Sequence, residues 1–288
     1  MTTLITGIPP RHETTWRRLL NPVTMCRRLW ESREIISQFA WRDVQARFHD
    51  TALGFLWPVL EQLSRLAVYT VVFIALGIRF KDMGEGSGRS TALNIFCGLV
   101  IFGIFADVVT RAPSAVLARG NLVKKVVFPV ETLPVALLGS ALVVGAIGIV
   151  VTILGAGVVL RTISPTLPLL PVALLPLVLL SLGLAWMLAG LGVFLRDLRQ
   201  AVGVVVGNLL FFLTPVIYPL EMIETPWVRA ILLANPLTTF VGDARRTILA
   251  GEQPQWSMWA LWLVVGIAST LIGYACFMKA RRGFGDVL

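Results

Sequence analysis

Charge is scarce in this sequence. Asp, Glu, Lys and Arg make up 14% of its 288 residues, against 56% hydrophobic, where a soluble domain carries about a quarter charged. That excludes an ordinary water-soluble enzyme and a disordered chain. Cysteine is scarcer: Cys26, Cys97 and Cys276 lie too far apart for a disulfide scaffold. With only His12 and His49 to join them, no familiar zinc-ligand spacing exists, and no metal site is expected. Lysine occurs four times, at Lys81, Lys124, Lys125 and Lys279, and never after glycine. A phosphate-cradling G-x-x-x-x-G-K-[ST] loop is therefore impossible. The chain is expected to be no enzyme and to bind no cofactor, and ATP-driven work would fall to another subunit.

The balance that remains is basic, +9 from 25 Lys and Arg against 16 Asp and Glu. In a soluble protein this would suggest nucleic acid. Here no basic stretch is interleaved with exposed aromatics, and retention of positive charge beside anionic lipid is the better reading. Membrane lipids, and no nucleic acid, are the expected neighbours.

What is present in quantity is apolar sequence. One crossing takes about 20 apolar residues. Six tracts qualify, at about 53–78, 91–110, 133–160, 167–195, 201–220 and 256–277. The third and fourth are almost continuous, and Arg161 to Pro165 divides them into two helices. The expected class is an all-α membrane protein with six transmembrane helices. Residues 1–52 carry eight Arg and no apolar core of signal-peptide length. Within them 1–28 read as a loose N-terminal segment, with Pro9, Pro10 and Pro22 as breakers. Over 29–52, Ile36, Ala40, Val44 and Phe48 recur every four residues among charges, the pattern of an amphipathic helix in the membrane interface. A helix packed on a soluble partner would show the same period. Residues 53–278 form the six-span unit and 279–288 a short tail.

Six crossings put both termini on one side. With the termini inside, inner segments hold 17 Lys and Arg and outer segments 7, which places both termini in the cytoplasm. Between spans 5 and 6, residues 221–255 are too long for a turn and too apolar for a free loop. Pro226 and Pro236 divide them into two short helices that dip into the outer leaflet and return, or an outer loop lying on the lipid surface.

Four constellations stand out. Glu61 and Arg65 lie at i and i+4 inside span 1, in the favourable order for a helix. Paired charges at membrane depth line a wet cavity or neutralise each other near the headgroups. Asp107, near the end of span 2, has the same ambiguity. The loop Arg111–Pro129 is longer than a turn needs. Ala112–Leu117 and Asn121–Val127 suit two short helices separated by Gly120, with Lys124 and Lys125 offered to the cytoplasm, or a solvated positive loop. Gly203 and Gly207 give a G-x-x-x-G spacing that permits close helix approach. Aromatic residues are plentiful: most Trp lie near predicted water interfaces, while Phe96, Phe102, Phe105, Phe211, Phe212 and Tyr218 lie deeper, where they either pack helices or stack on sugars.

The run Trp41–Leu63, WRDVQARFHDTALGFLWPVLEQL, resembles the entry signature of the permeases of polysaccharide ABC exporters. NLVKKVVFPVETLP (Asn121–Pro134), FLRDLRQ (Phe194–Gln200), TPVIYP (Thr214–Pro219), NPLT (Asn235–Thr238) and the ending Asp-Val-Leu extend the likeness from about residue 30 to the C terminus. Those proteins handle O-antigen, capsular polysaccharide, teichoic acid and related lipid-linked glycans. The resemblance implies a homodimer in the bacterial inner (plasma) membrane with two copies of a separate cytoplasmic ATPase, which would bind ATP and Mg. It implies that Asn121, Leu122, Lys124, Lys125, Phe128 and Pro129 form a loop docking on that ATPase. The 221–250 helices would close the channel. Spans 1 and 5 would line it, making Glu61, Arg65, Tyr69, Phe211, Phe212 and Tyr218 candidates for its wall.

The substrate implied is a polysaccharide on an isoprenoid pyrophosphate, whose anionic head would meet Arg42 or Arg47 at the cytoplasmic entrance through the bidentate grip of a guanidinium. Five residues apart on a helix, the two diverge by about 140°. Arg47, closer to span 1, is the expected pyrophosphate residue, and Arg42 is left for anionic lipid or the ATPase. A permease of the same superfamily for a drug or small lipid has equal hydropathy; the Trp41–Pro58 run is what favours glycans.

Overall fold

A computed structural model describes residues 21–48, 56–75, 88–120, 129–161, 163–218, 220 and 223–287. Every regular element among them is helical. Helices α1 (Pro22–Glu31) and α2 (Arg33–Phe48) precede α3 (Trp57–Ala75) and α4 (Gly88–Arg111). Helix α5 (Thr132–Val159) and α6 (Leu175–Gly192, entered through a turn and a short helix from Leu167) follow. Helix α7 (Leu198–Val204) runs through a π turn into Phe211–Leu213. The short helices α8 (Pro226–Ala234) and α9 (Pro236–Arg245), the long α10 (Trp256–Ala280) and α11 (Phe284–Val287) complete the chain.

Four helical stretches among the described residues are long and apolar enough to cross a bilayer: Ser90–Ser114, Thr132–Val159, Leu167–Gly192 and Trp256–Gly283. They correspond to predicted spans 2, 3, 4 and 6. The other two predicted spans look different. Span 1 begins and ends outside the described residues, and α3, 19 residues long, carries Glu61 and Arg65 in its first half. Span 5 is a 16-residue apolar helix, Leu198–Leu213, rather than a tract to Leu220. Pro215 explains the early stop: it disfavours helical geometry at the residue before it, and Thr214 is extended (φ −103°, ψ 127°). Helices α8 and α9, at about 1.5 Å per residue, are each too short to cross.

Asn-Pro pairs start two of these helices. Asn21 Oδ1 accepts the Val23 N–H (3.0 Å) with Pro22 in the first turn, and Asn235 Oδ1 accepts the Leu237 N–H (3.1 Å) with Pro236 in the first turn. The side chain satisfies an orphan donor, and proline loses nothing where its N–H would be unpaired. Pro22, read as a breaker, instead opens α1 inside the stretch taken as loose.

Packing falls into two main clusters. One, around the end of α4 and the start of α5, gathers Val108, Leu133, Leu137, Trp186, Tyr274 and Phe277. The buried Trp186 indole donates to the Glu131 carbonyl (3.0 Å) and meets Tyr274 edge-on at 5.2 Å. The C-terminal tail docks here: Phe284 is buried against Phe277, and Arg281 pairs with Glu131 at 2.9 Å. The other cluster, around the middle of α4, gathers Ile101, Phe102, Leu177, Leu237, Phe240 and Val241, so α9 is core and not surface. Helices α6 and α10 run in the closest contact, since a Cβ at Gly183 or Gly273 would fall inside the other helix's backbone. At Gly203 and Gly207, the spacing that predicted close approach, an added Cβ would have nothing within 4 Å among the described residues.

Candidate functional site

Helix α2 turns one charged stripe inward. Phe39, Asp43 and Arg47 recur every four residues and face α5 and the end of α4, beside the fully buried Val44. Helix α4 answers with Asp107 and Arg111 at the same spacing. The two Asp-x-x-x-Arg pairs are cross-connected. Arg111 Nη2 donates to both Asp43 oxygens (2.7 and 2.6 Å), and Arg47 Nη2 donates to Asp107 Oδ2 at 2.5 Å. Ser140 of α5 closes the set, donating to Asp43 Oδ2 at 2.6 Å, with Arg47 Nη2 3.4 Å from its Oγ. Arg119, past the end of α4, lies over the Phe39 ring (5.4 Å) and 3.7 Å from Asp43. Burial pulls the Arg119 pKa down from its ordinary value, Asp43 opposes this, and Arg111 and Arg42 add to it.

Among the described residues, Arg47, Arg111 and Arg119 thus face two carboxylates, Asp43 and Asp107. Their side chains are a quarter to a third exposed, less for Asp43, so water screens these pairs only in part.

Below α2 this cluster opens into a cleft of about 420 Å³ between α3, α4 and α5. Its wall mixes polar Arg47, Glu61, Gln62, Arg65 and Asp107 with aliphatic Leu99, Val100, Ile104 and Val144 and with Gly103 and Gly145. A Cβ built on Gly103 touches nothing within 4 Å among the described residues, so the absent side chain is open space. Glu61 and Arg65 pair with each other at 2.5 Å and are much more exposed than the α2–α4 pairs. Such a cavity offers cationic donors beside an aliphatic wall, the complement of an amphiphile with an anionic head.

Arg47, Glu61 and Arg65 therefore share one site. Arg42 lies on the exposed face of α2, away from it. Tyr69, on α3, is half-buried and lies off the cleft wall. Phe211 packs edge-on against Phe102 (5.4 Å) and Phe212 (5.5 Å), and the Tyr218 hydroxyl donates to the Phe212 carbonyl (2.6 Å). Phe211 packs on the second core cluster, Phe212 is exposed, and none of the three lines the cleft. Of the candidate docking loop, Pro129 is described, its carbonyl accepting from Thr132 Oγ1 (2.7 Å). Asn121, Leu122, Lys124, Lys125 and Phe128 lie outside the described residues. The first half of that loop is two 3₁₀ turns, Ala112–Ser114 and Leu117–Arg119, in place of one short helix.

Sequence reading passed over Asp43, Arg111, Arg119 and Ser140. The repeated Asp-x-x-x-Arg spacing was the available signal for the first two. Among the described residues no group of three or more His, Cys, Asp or Glu could hold a metal.

Residues 35–249 match the family described as ABC-2 type transporter. The chain is 30% identical over 228 residues to the O-antigen export system permease protein RfbA of Myxococcus xanthus, covering 76% of this chain and 82% of that one. It is 23% identical over 254 residues to a protein of the same name from Klebsiella pneumoniae (86% and 92%). It is 25% identical over 213 residues to the polysialic acid transport protein KpsM of Escherichia coli (73% and 79%).

Proposed function

Because the chain belongs to the ABC-2 type transporter family, whose ATPase is a separate protein, we propose that it is the multi-pass permease subunit of a bacterial inner-membrane exporter of O-antigen-like or capsular polysaccharide. The names of its relatives support the polysaccharide. The four long apolar helices support a multi-pass unit, and with α3 and Leu198–Leu213 as shorter crossings it would be a six-span half-transporter. Two copies would pair, with α8 and α9 dipping into the outer leaflet, and two ATPase subunits holding ATP and Mg would dock on the loop that includes Lys124 and Lys125. Both termini lie in the cytoplasm on this reading, which puts α2 at the inner surface.

The cargo is then a glycan on an isoprenoid pyrophosphate, and the observation that carries this is the cleft beneath α2, where guanidinium and aliphatic side chains share one wall. The pyrophosphate would sit on Arg47 and the first isoprene units against Leu99, Val100 and Gly103. ATP-driven closure of the partner subunits does work only if the two permease conformations differ in affinity for the closed ATPase.

In vesicles holding the permease–ATPase complex, Arg47→Ala lowers export and the stimulation of ATP hydrolysis by lipid-linked glycan. Arg47→Lys recovers part, because an ammonium lacks the bidentate fork. Full export by Arg47→Ala, with unchanged half-maximal lipid, rejects the entrance. Orientation is tested separately. Cysteine at Glu252 is labelled by an impermeant thiol reagent in intact cells and cysteine at Arg282 only after the membrane is opened; the reverse pattern inverts the topology.

A further inference from the structure

The two cross-paired carboxylates are not equivalent. Asp43 is saturated: both oxygens accept from Arg111 (2.7 and 2.6 Å), Ser140 donates at 2.6 Å, and Arg119 stands at 3.7 Å. It is not on the cleft wall. Asp107 is on the wall and rests on one short bond, to Arg47 at 2.5 Å, with Arg111 at a longer 3.4 Å. Among the described residues Arg47 has only longer alternatives, Ser140 at 3.4 Å and Asp43 at 3.7 Å. The Arg111–Asp43 pair is thus internal, and the Arg47–Asp107 pair faces the space a ligand would enter.

We propose that Asp107 is a displaceable counter-ion, occupying Arg47 until the head of a polyisoprenyl pyrophosphate takes its place, and so setting how tightly the cleft holds that head. This rests on the reading of the cleft as the headgroup site. A phosphate that displaces Asp107 exchanges one charge-assisted bond for another and gains little. A diphosphate brings a second anionic centre. Arg65 on the same wall can meet it, because its own partner Glu61 is exposed and water-screened. The displaced carboxylate is not stranded, since Arg111 sits one turn along the same helix with Nη1 already 3.4 Å away. A partly buried carboxylate with no partner would cost far more. Arg111 stays anchored on Asp43 throughout, so α2 remains docked while its Arg47 changes partner.

The experiment uses the permease–ATPase complex in nanodiscs and measures equilibrium binding of undecaprenyl pyrophosphate and undecaprenyl monophosphate. Asp107→Asn removes the competitor, so both lipids bind about tenfold tighter, the scale of one charge-assisted bond. Their ratio stays, because each displaces the same carboxylate. Asp43→Asn, the control on the internal pair, leaves both affinities in place. Unchanged affinities in Asp107→Asn, or an equal gain in Asp43→Asn, overturn the proposal.

Arg47→Ala separates this from the underlying reading. If it binds pyrophosphate as well as wild type does, the headgroup site itself is wrong. If it loses binding while Asp107→Asn binds neither lipid more tightly, only the counter-ion role fails. Should Asp107→Asn not assemble, Asp107→Ser decides: a gain in affinity for both lipids supports the role, and unchanged affinities overturn it.

Discussion

Arg47 and Arg245 are both partly buried guanidinium groups, and they are held in opposite ways. Arg47 is met by a carboxylate on another helix, at the edge of a cleft. Arg245, at the end of α9, donates to three backbone carbonyls: Asn94 (3.0 Å), Pro215 (2.9 Å) and Val216 (2.6 Å). It ties α9 to the start of α4 and to the extended segment after Leu213. Its space is reserved, since a Cβ on Gly98 would crowd its Nη2. A carbonyl cannot leave its chain, so this contact lasts as long as the fold around it. A carboxylate on a mobile side chain can be exchanged for another anion without unmaking a helix. The same chemical group serves as a post at one end of α4 and as an exchangeable contact at the other.

The largest expected effect is therefore on the post. Arg245→Ala leaves three carbonyls without their donors in a region that water reaches poorly. At about 1–3 kcal/mol for each unsatisfied buried acceptor, the loss is about 3 kcal/mol or more even with partial rescue by water. The purified permease should melt several degrees lower in detergent, and Arg245→Lys should recover only a fraction, because an ammonium cannot span the three acceptors as the planar fork does. A melting temperature shifted no more by Arg245→Ala than by Arg47→Ala would erase the contrast between the two sites.

How much of this could be read from residues alone follows the same division. The four long apolar stretches were legible because length and hydropathy are local properties, and the break at Arg161–Pro165 between α5 and α6 was legible from its polar and proline residues. The early end of α7 was also written locally, in Thr214-Pro215, but a 20-residue apolar tract outweighed it. Asn-Pro at 21–22 and 235–236 reads as a break or as a helix start, and only the capping geometry separates the two. In α2 the apolar stripe was seen, and the charges beside it were read as those of a helix lying in the membrane interface. That inference fails whenever a helix docks on protein that carries its own charges. Asp43 finds Arg111 across 68 residues and Ser140 across 97, and no periodicity in α2 encodes that. Of the channel-wall candidates chosen for being aromatic and deep, Phe211 is absorbed by ordinary ring packing with Phe102, and the cleft is instead lined largely by aliphatic and small residues.

The finest test of the comparison uses Glu61 and Arg65, an ion pair on the cleft wall that is neither a post nor a tight lock. Its distance, 2.5 Å, equals that of Arg47–Asp107, but its side chains are 39% and 54% exposed against 22% and 26%. Distance alone would rank the two pairs together; exposure ranks them apart, because solvent screens the outer pair to about 0–1 kcal/mol. Glu61→Gln should therefore leave the melting temperature of the permease within about a degree of wild type. It should also free Arg65 for a second phosphate, tightening pyrophosphate binding by no more than about threefold, a smaller factor than the tenfold expected for the monophosphate in Asp107→Asn. Monophosphate binding, which in this reading engages Arg47 alone, should not move. A Glu61→Gln effect on the monophosphate as large as that of Asp107→Asn would mean that the cleft responds to its total charge and not to which carboxylate holds Arg47.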